Sequence, residues 1–249
     1  MPSPSATEAR SGAGDFQATR WSVVLAAGGA ETPAAHAAIA ELCQTYWYPL
    51  YLFIRRTGRT APDAEDLVQG FFALLLERGS VAEAERSRGQ FRSFLLSRLE
   101  HFMIDEWRRS RRERRGGGEE MISIDDPAVE ERVEEELAHE SSPAALFDRA
   151  WATTLLDRAV ARVGAECDAE GAAGRFAVLK GFLLGDRGET PLAEAGRQLG
   201  LSLTAVKSVV HRLRERFREV LRTEIRQTVE RADQVEAELR WLLKVLGGG

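Results

Sequence analysis

"PLAEAGRQLGLSLTAVKSVVHRLRERF", residues 191–217, decides how the C-terminal half folds. Apolar side chains return every three to four positions, break once around Gly200, and then return again. That is the spacing of two short helices joined by a tight turn, a helix-turn-helix. Gly200 closes the first helix and suits a turn with positive φ. Gly196 sits where the first helix passes close to the second. Leu199, Leu201, Val206 and Val209 supply the apolar lock, and Ser202 is placed to cap the second helix. Val206, Val209, Val210, Leu213 and Phe217 make that helix's buried stripe. Thr204, Lys207, Ser208, His211, Arg212 and Arg214 are left as a donor-rich face suited to phosphates and to base edges in a major groove. The plain alternative is an amphipathic hairpin with a solvated basic face.

The rest of the chain is helical in pattern too. Strand signals are nearly absent, and no internal repeat is visible. The periodicity predicts helices near 20–27, 34–57, 62–78, 89–114, 144–167, 174–185, 191–199, 203–226 and 232–246, so the expected class is all-α. Hydrophobic residues make up 44% of the 249 positions and charged residues 29%, which are globular values. The longest uninterrupted apolar run, Phe71 to Leu76, is far too short for a membrane span. Residues 1–18 lack the basic start and apolar core of a secretory signal and read as a floppy tail. Cys43 and Cys167 are far apart and form no CxxC, and the four histidines form no HxxxH or HxH pair. The expectation is a reduced, cytoplasmic protein with no metal and no cofactor. No Gly-rich phosphate loop or nucleophile elbow is present, so an enzyme is the least favoured class.

Charge is distributed unevenly. The whole chain carries a formal net charge of -5, yet "FMIDEWRRSRRERR" (102–115) packs six arginines into its last nine residues. Phe91, Leu95, Leu99, Phe102 and Trp107 recur at helical spacing through this region. Arg92, Arg98, Arg108, Arg109, Arg111 and Arg112 are therefore expected mostly exposed, as bidentate partners for phosphate. "APDAEDLVQGFFALLLERG" (61–79) opens a helix with Pro62 and Asp63. Leu67, Phe71, Leu74 and Leu75 should face inward, leaving Asp63, Asp66, Gln69 and Glu77 outside. After the "GGG" breaker at 116–118, residues 119–140 carry ten acidic side chains against one arginine, Arg132. Such a run does not bury enough surface to fold alone. The expected organisation is a tail at 1–18, a helical domain at 19–115, an acidic linker at 116–143, a helix-turn-helix domain at 144–222 and an amphipathic helix at 223–249. Val235, Leu239, Leu242, Leu243 and Leu246 form the stripe of that last helix, expected to pack back on its own domain. The ten acids beside the six arginines also suggest that 119–140 folds back on Arg108–Arg115 in the free protein.

Taken together, three blocks resemble the alternative sigma factors of bacterial RNA polymerase, in particular the two-domain ECF (extracytoplasmic function) type. "YPLYLFIRRTGRTAPDAEDLVQGFF" resembles the start of region 2, "FRSFLLSRLEHFMIDEWRRSRRER" the helix that reads and opens the -10 element, and "LAEAGRQLGLSLTAVKSVVHRLRERFREVL" region 4. The likeness spans roughly residues 35–115 and 145–222, in the family's order. It implies that Asp66 and Gln69, with Asp63 and Leu67 alongside, face the clamp of the largest polymerase subunits. It implies that His101, Asp105, Trp107, Arg108 and Arg109, with Arg111 and Arg112 following, lie along -10 promoter DNA. It places Ser80–Arg88 near an unstacked base. Lys207, Ser208, His211, Arg212 and Arg214, with Thr204, would enter or flank the -35 major groove. The acidic linker would run through the polymerase cleft. "TRWSVVLAA" near the start and the tail after Arg222 resemble a subgroup with added end segments. The implied partners are core RNA polymerase and promoter DNA, with room for an anti-sigma protein or another regulator and none for a membrane. Three positions depart from the family pattern: Glu100-His101 replaces the usual R-N pair, Val209 stands where an arginine often follows K-S, and Gly196 replaces an alanine. A stand-alone helix-turn-helix regulator is the second reading of the same residues.

Overall fold

The computed structural model describes residues 33–77, 91–113, 133, 137, 142–185, 189–229 and 231–247. The expected tail at 1–18, the helix at 20–27, the Ser80–Arg88 loop and most of the acidic run lie outside the described residues. Among the described residues the chain is helical and contains no strand. The helices are α1 (Pro33–Arg56), α2 (Ala61–Glu77), α3 (Phe91–Glu113), α4 (Pro143–Ala169), α5 (Ala173–Leu179), α6 (Glu189–Leu199), α7 (Leu203–Arg226) and α8 (Val235–Leu246). Single 3₁₀ turns at Lys180–Phe182 and Ala232–Gln234 follow α5 and precede α8.

The helix starts follow local chemistry. Thr60 Oγ1 accepts the Asp63 amide at 3.3 Å and opens α2. Ser142 and Ser202 begin α4 and α7, each accepting the amide three residues ahead at 3.2 Å. Pro143 fills the first turn of α4, where its missing N–H leaves no intrahelical bond unmade.

Packing is centred on α4, which touches α1, α5, α7 and α8. Its inward face runs from Leu146 and Phe147 through Trp151, Leu155 and Val163 to Cys167. Tyr46, Leu50, Tyr51 and Ile54 of α1, Phe71 of α2 and Leu95 and Leu99 of α3 are buried in the same continuous core as α4. Tyr46 meets Phe91 edge-on at 5.2 Å, tying α1 to the start of α3. Each fully buried large side chain of this kind contributes about 1.5–3 kcal/mol. Buried side chains of α1–α3 and of α4–α8 belong to one hydrophobic cluster among the described residues. Val133, from the acidic run, is buried, and the Leu137 carbonyl accepts Arg56 Nη1 at 3.0 Å. A wholly solvated tether would leave both outside.

Two expectations about side chains are corrected. Arg92, expected outside, is only 7% exposed, because Asp148 and Glu238 offer it carboxylates at 3.0 and 2.8 Å. Leu243, expected in the stripe of the last helix, is 58% exposed. The inward face of α8 is instead Val235, Glu238 and Leu242, with Trp241 packed on Trp151 at 5.8 Å. As expected, α8 packs back on α4 and α7, and Glu238 also reaches α3.

Candidate nucleic-acid interface

The hairpin formed by α6 and α7 brings most of its expected face together. Gly200 adopts φ 65°. The Leu201 amide returns to the Gly196 carbonyl at 2.8 Å and closes the C-terminus of α6. A Cβ on residue 196 would lie 2.8 Å from the Leu201 carbonyl oxygen and 3.2 Å from Val206 Cγ2. Val206, Val210, Leu213 and Phe217 are buried, while Thr204, Lys207, Ser208, His211 and Arg212 are exposed. Ser208 Oγ donates to the Thr204 carbonyl, and His211 Nε2 lies 3.3 Å from Glu215, one helical turn on.

Arg214 differs from its neighbours. Half-buried, it donates from Nε to the Phe182 carbonyl at 2.8 Å and from Nη2 to the Gly185 carbonyl at 2.6 Å. The first of those carbonyls ends the 3₁₀ turn after α5 and the second lies three residues beyond it, outside any helix. Arg214 thus anchors that segment against α7 and does not project with Arg212.

Beside the α7 face is a cleft of about 390 Å³ that sequence reasoning missed. Phe176, Val209 and Leu213 line it together with Arg175, Arg212 and Arg216. Arg216 Nη2 holds Glu170 at 2.6 Å and keeps that carboxyl below the ordinary range through its hydrogen bond. Arg216 stands one helical turn beyond Arg212 on α7, as spacing alone shows, whereas Arg175 of α5 joins them only through tertiary packing.

The second basic surface is the far half of α3. His101, Asp105, Trp107, Arg108 and Arg109 are exposed. Arg111 and Arg112 continue the helix, but their side chains lie outside the described residues. His101 Nδ1 donates to the Ser97 carbonyl at 2.7 Å, which holds the ring against its own helix. Arg108 lies 3.5 Å from Asp105 and Arg109 3.6 Å from Glu106, loose pairs between exposed groups that phosphate can replace. Ile104 and Trp107 are 48% and 47% exposed and stand three residues apart, so they share a helix face. A large aromatic surrounded by guanidinium groups can stack an unpaired base and neutralise its phosphate. The spacing of Trp107 with Phe91, Leu95, Leu99 and Phe102 pointed inward as well; at 47% exposure Trp107 instead shares an outer face with Ile104, which sequence reasoning did not single out.

On α2, Asp63, Asp66 and Gln69 are exposed, while Leu67 is half-buried against the core. This gives a small face of carboxylates and an amide with an apolar margin. No protein-family model matches the chain, and no curated protein or solved structure matches it either. Among the described residues there is no cluster of three metal-ligating side chains, and no helix is long and apolar enough to cross a membrane.

Proposed function

We propose that the chain is an alternative sigma factor of the ECF type. In this reading it binds core RNA polymerase, recognises promoter DNA and directs transcription initiation without catalysing a reaction itself. One observation carries the reading: a helix-turn-helix with an outward donor face and an arginine helix with an outward tryptophan occur on one molecule. The first suits the major groove of a duplex. The second suits unpaired bases beside phosphates. A protein that both reads a duplex and holds an opened strand needs both. In the same reading, Asp63, Asp66, Leu67 and Gln69 meet the polymerase clamp. Thr204, Lys207, Ser208, His211 and Arg212 meet -35 DNA, and His101, Asp105, Trp107, Arg108, Arg109, Arg111 and Arg112 meet -10 DNA.

Comigration with core polymerase on a sizing column, followed by transcription from a promoter library, tests the reading. Asp66→Arg should lower polymerase affinity at least tenfold with helix content unchanged, since it reverses charge on an exposed side chain. Wild-type affinity in that variant would remove α2 from the interface. A stand-alone helix-turn-helix regulator remains the second reading, favoured by the completeness of the α6–α7 hairpin. It requires tight duplex binding without polymerase and gives Trp107 no task.

A further inference from the structure

Arg92 and Glu238 are among four buried polar or charged side chains in the described residues, and they are bonded to each other. Arg92 comes from the first turn of α3, the helix whose far end carries Trp107 and Arg108. Its Nε donates to Glu238 of α8 at 2.8 Å and its Nη1 to Asp148 of α4 at 3.0 Å. Its guanidinium carbon stands 3.4 Å from the ring centre of Trp241 and 5.5 Å from that of Trp151. Helix α8 in turn packs on α7, the helix that carries the outward donor face. One short C-terminal helix therefore joins the two surfaces assigned above to nucleic acid.

We infer that α8 is a releasable clasp that sets how α3 sits relative to α7. The naming of those two surfaces rests on the function proposed above; the clasp itself does not. With α8 docked, α3 is held at its start by the Arg92 cluster and by the Tyr46–Phe91 contact. With α8 detached, Arg92 loses Glu238 and Trp241 while Asp148, which is partly open to water, and Trp151 stay beside it, and α3 shifts while α1 and α4 stay joined through Tyr46 and Trp151, both 0% exposed. The chemistry favours a reversible contact. Opening returns both ions to water, so the pair holds the closed state less firmly than an apolar seam of equal size. Docking in any other register leaves a charge buried and unpaired, so the closed state is single. Helix α8 is 12 residues long and packs mainly on α4 and α7, so its release breaks a limited set of contacts.

The test uses spin labels at Ser97→Cys on α3 and Arg218→Cys on α7, both exposed positions outside the proposed interfaces, in the full chain with Cys43→Ala. The wild-type background should give one narrow distance distribution. Glu238→Gln, and separately truncation after Glu230, should broaden and shift it, and α3 amides should exchange about tenfold faster. An unchanged distribution in both variants, with helix content retained, overturns the clasp. Should both variants fail to fold, hydrogen exchange of the unaltered protein decides. Exchange of α8 amides well ahead of α4 amides supports release, and exchange of both only at the rate of global unfolding overturns it. Comigration with core polymerase is measured on the same samples. Its failure alongside a working clasp sinks only the proposed function, and its success alongside a rigid α8 sinks only the clasp.

Discussion

Arg212 and Arg214 stand two positions apart on α7 and face different surroundings. Arg212 is exposed on the cleft beside the donor face, whereas Arg214 is bonded to two backbone carbonyls. Arg212→Ala should therefore reduce DNA affinity by roughly 1–3 kcal/mol with thermal stability unchanged; a matching fall in melting temperature would show that it is structural instead. Tyr46 presents a different problem. Its hydroxyl and its polar neighbour Trp151 Nε1 are buried without a hydrogen bond of normal geometry. Burial pushes the phenol well above its ordinary value of 10.0, and the nearby indole N–H and the Arg92 charge offset this only in part. A raised phenol contributes stability below pH 10.0 that is lost progressively as pH climbs past that value. Tyr46→Phe removes an unsatisfied buried hydroxyl, so denaturant titration at neutral pH should find it neutral to about 1 kcal/mol more stable. The variant should also lose part of the alkaline sensitivity, and a destabilisation above about 2 kcal/mol would mean that the hydroxyl has a partner after all.

The helices themselves were largely legible in the chain, because caps and breakers act over three or four residues. Ser142, Ser202 and Thr60 begin helices through bonds to amides three positions ahead, and Gly200 turns one helix into the next. The hairpin depends on Gly196 more than on any single apolar contact there. Gly196→Val drives a side chain into the Leu201 carbonyl and should destabilise the α6–α7 unit by several kcal/mol, at least the 1–3 kcal/mol typical of overpacking. Loss of DNA binding with α1–α4 helicity retained is the expected result by circular dichroism and gel shift. On α3, Trp107→Ala should weaken binding to single-stranded DNA by about 1–3 kcal/mol while leaving the helix-turn-helix's hold on duplex unchanged. Equal loss on both substrates would place the tryptophan in the fold and not at a base. Leu243 shows where helical spacing misleads. It falls on the leucine side of α8, but Glu238 and Trp241 take the buried face because Arg92 and Trp151 are there to receive them.

The molecule as a whole is acidic, with a net charge of -5, and its two basic surfaces are local. Affinity for DNA should therefore depend steeply on salt: three or four arginine–phosphate contacts give a slope of roughly -3 in log K against log salt. A slope near zero in a salt titration would mean that the arginines of α3 do not touch phosphate. Among the described residues, helical character, helix boundaries, the hairpin and, Arg214 apart, the outward set on α7 were readable from the chain alone. Each rests on periodicity, capping or turn chemistry, and these are settled among near neighbours. The fate of Arg92, Arg214, Val133 and Leu243 was not readable. Arg92 meets a carboxylate 146 residues away, and Arg214 meets carbonyls 32 and 29 residues away. An arginine at helical spacing looks solvated until folding brings an acid or a bare carbonyl within 3 Å, because burying a charge is favourable only where such a partner waits.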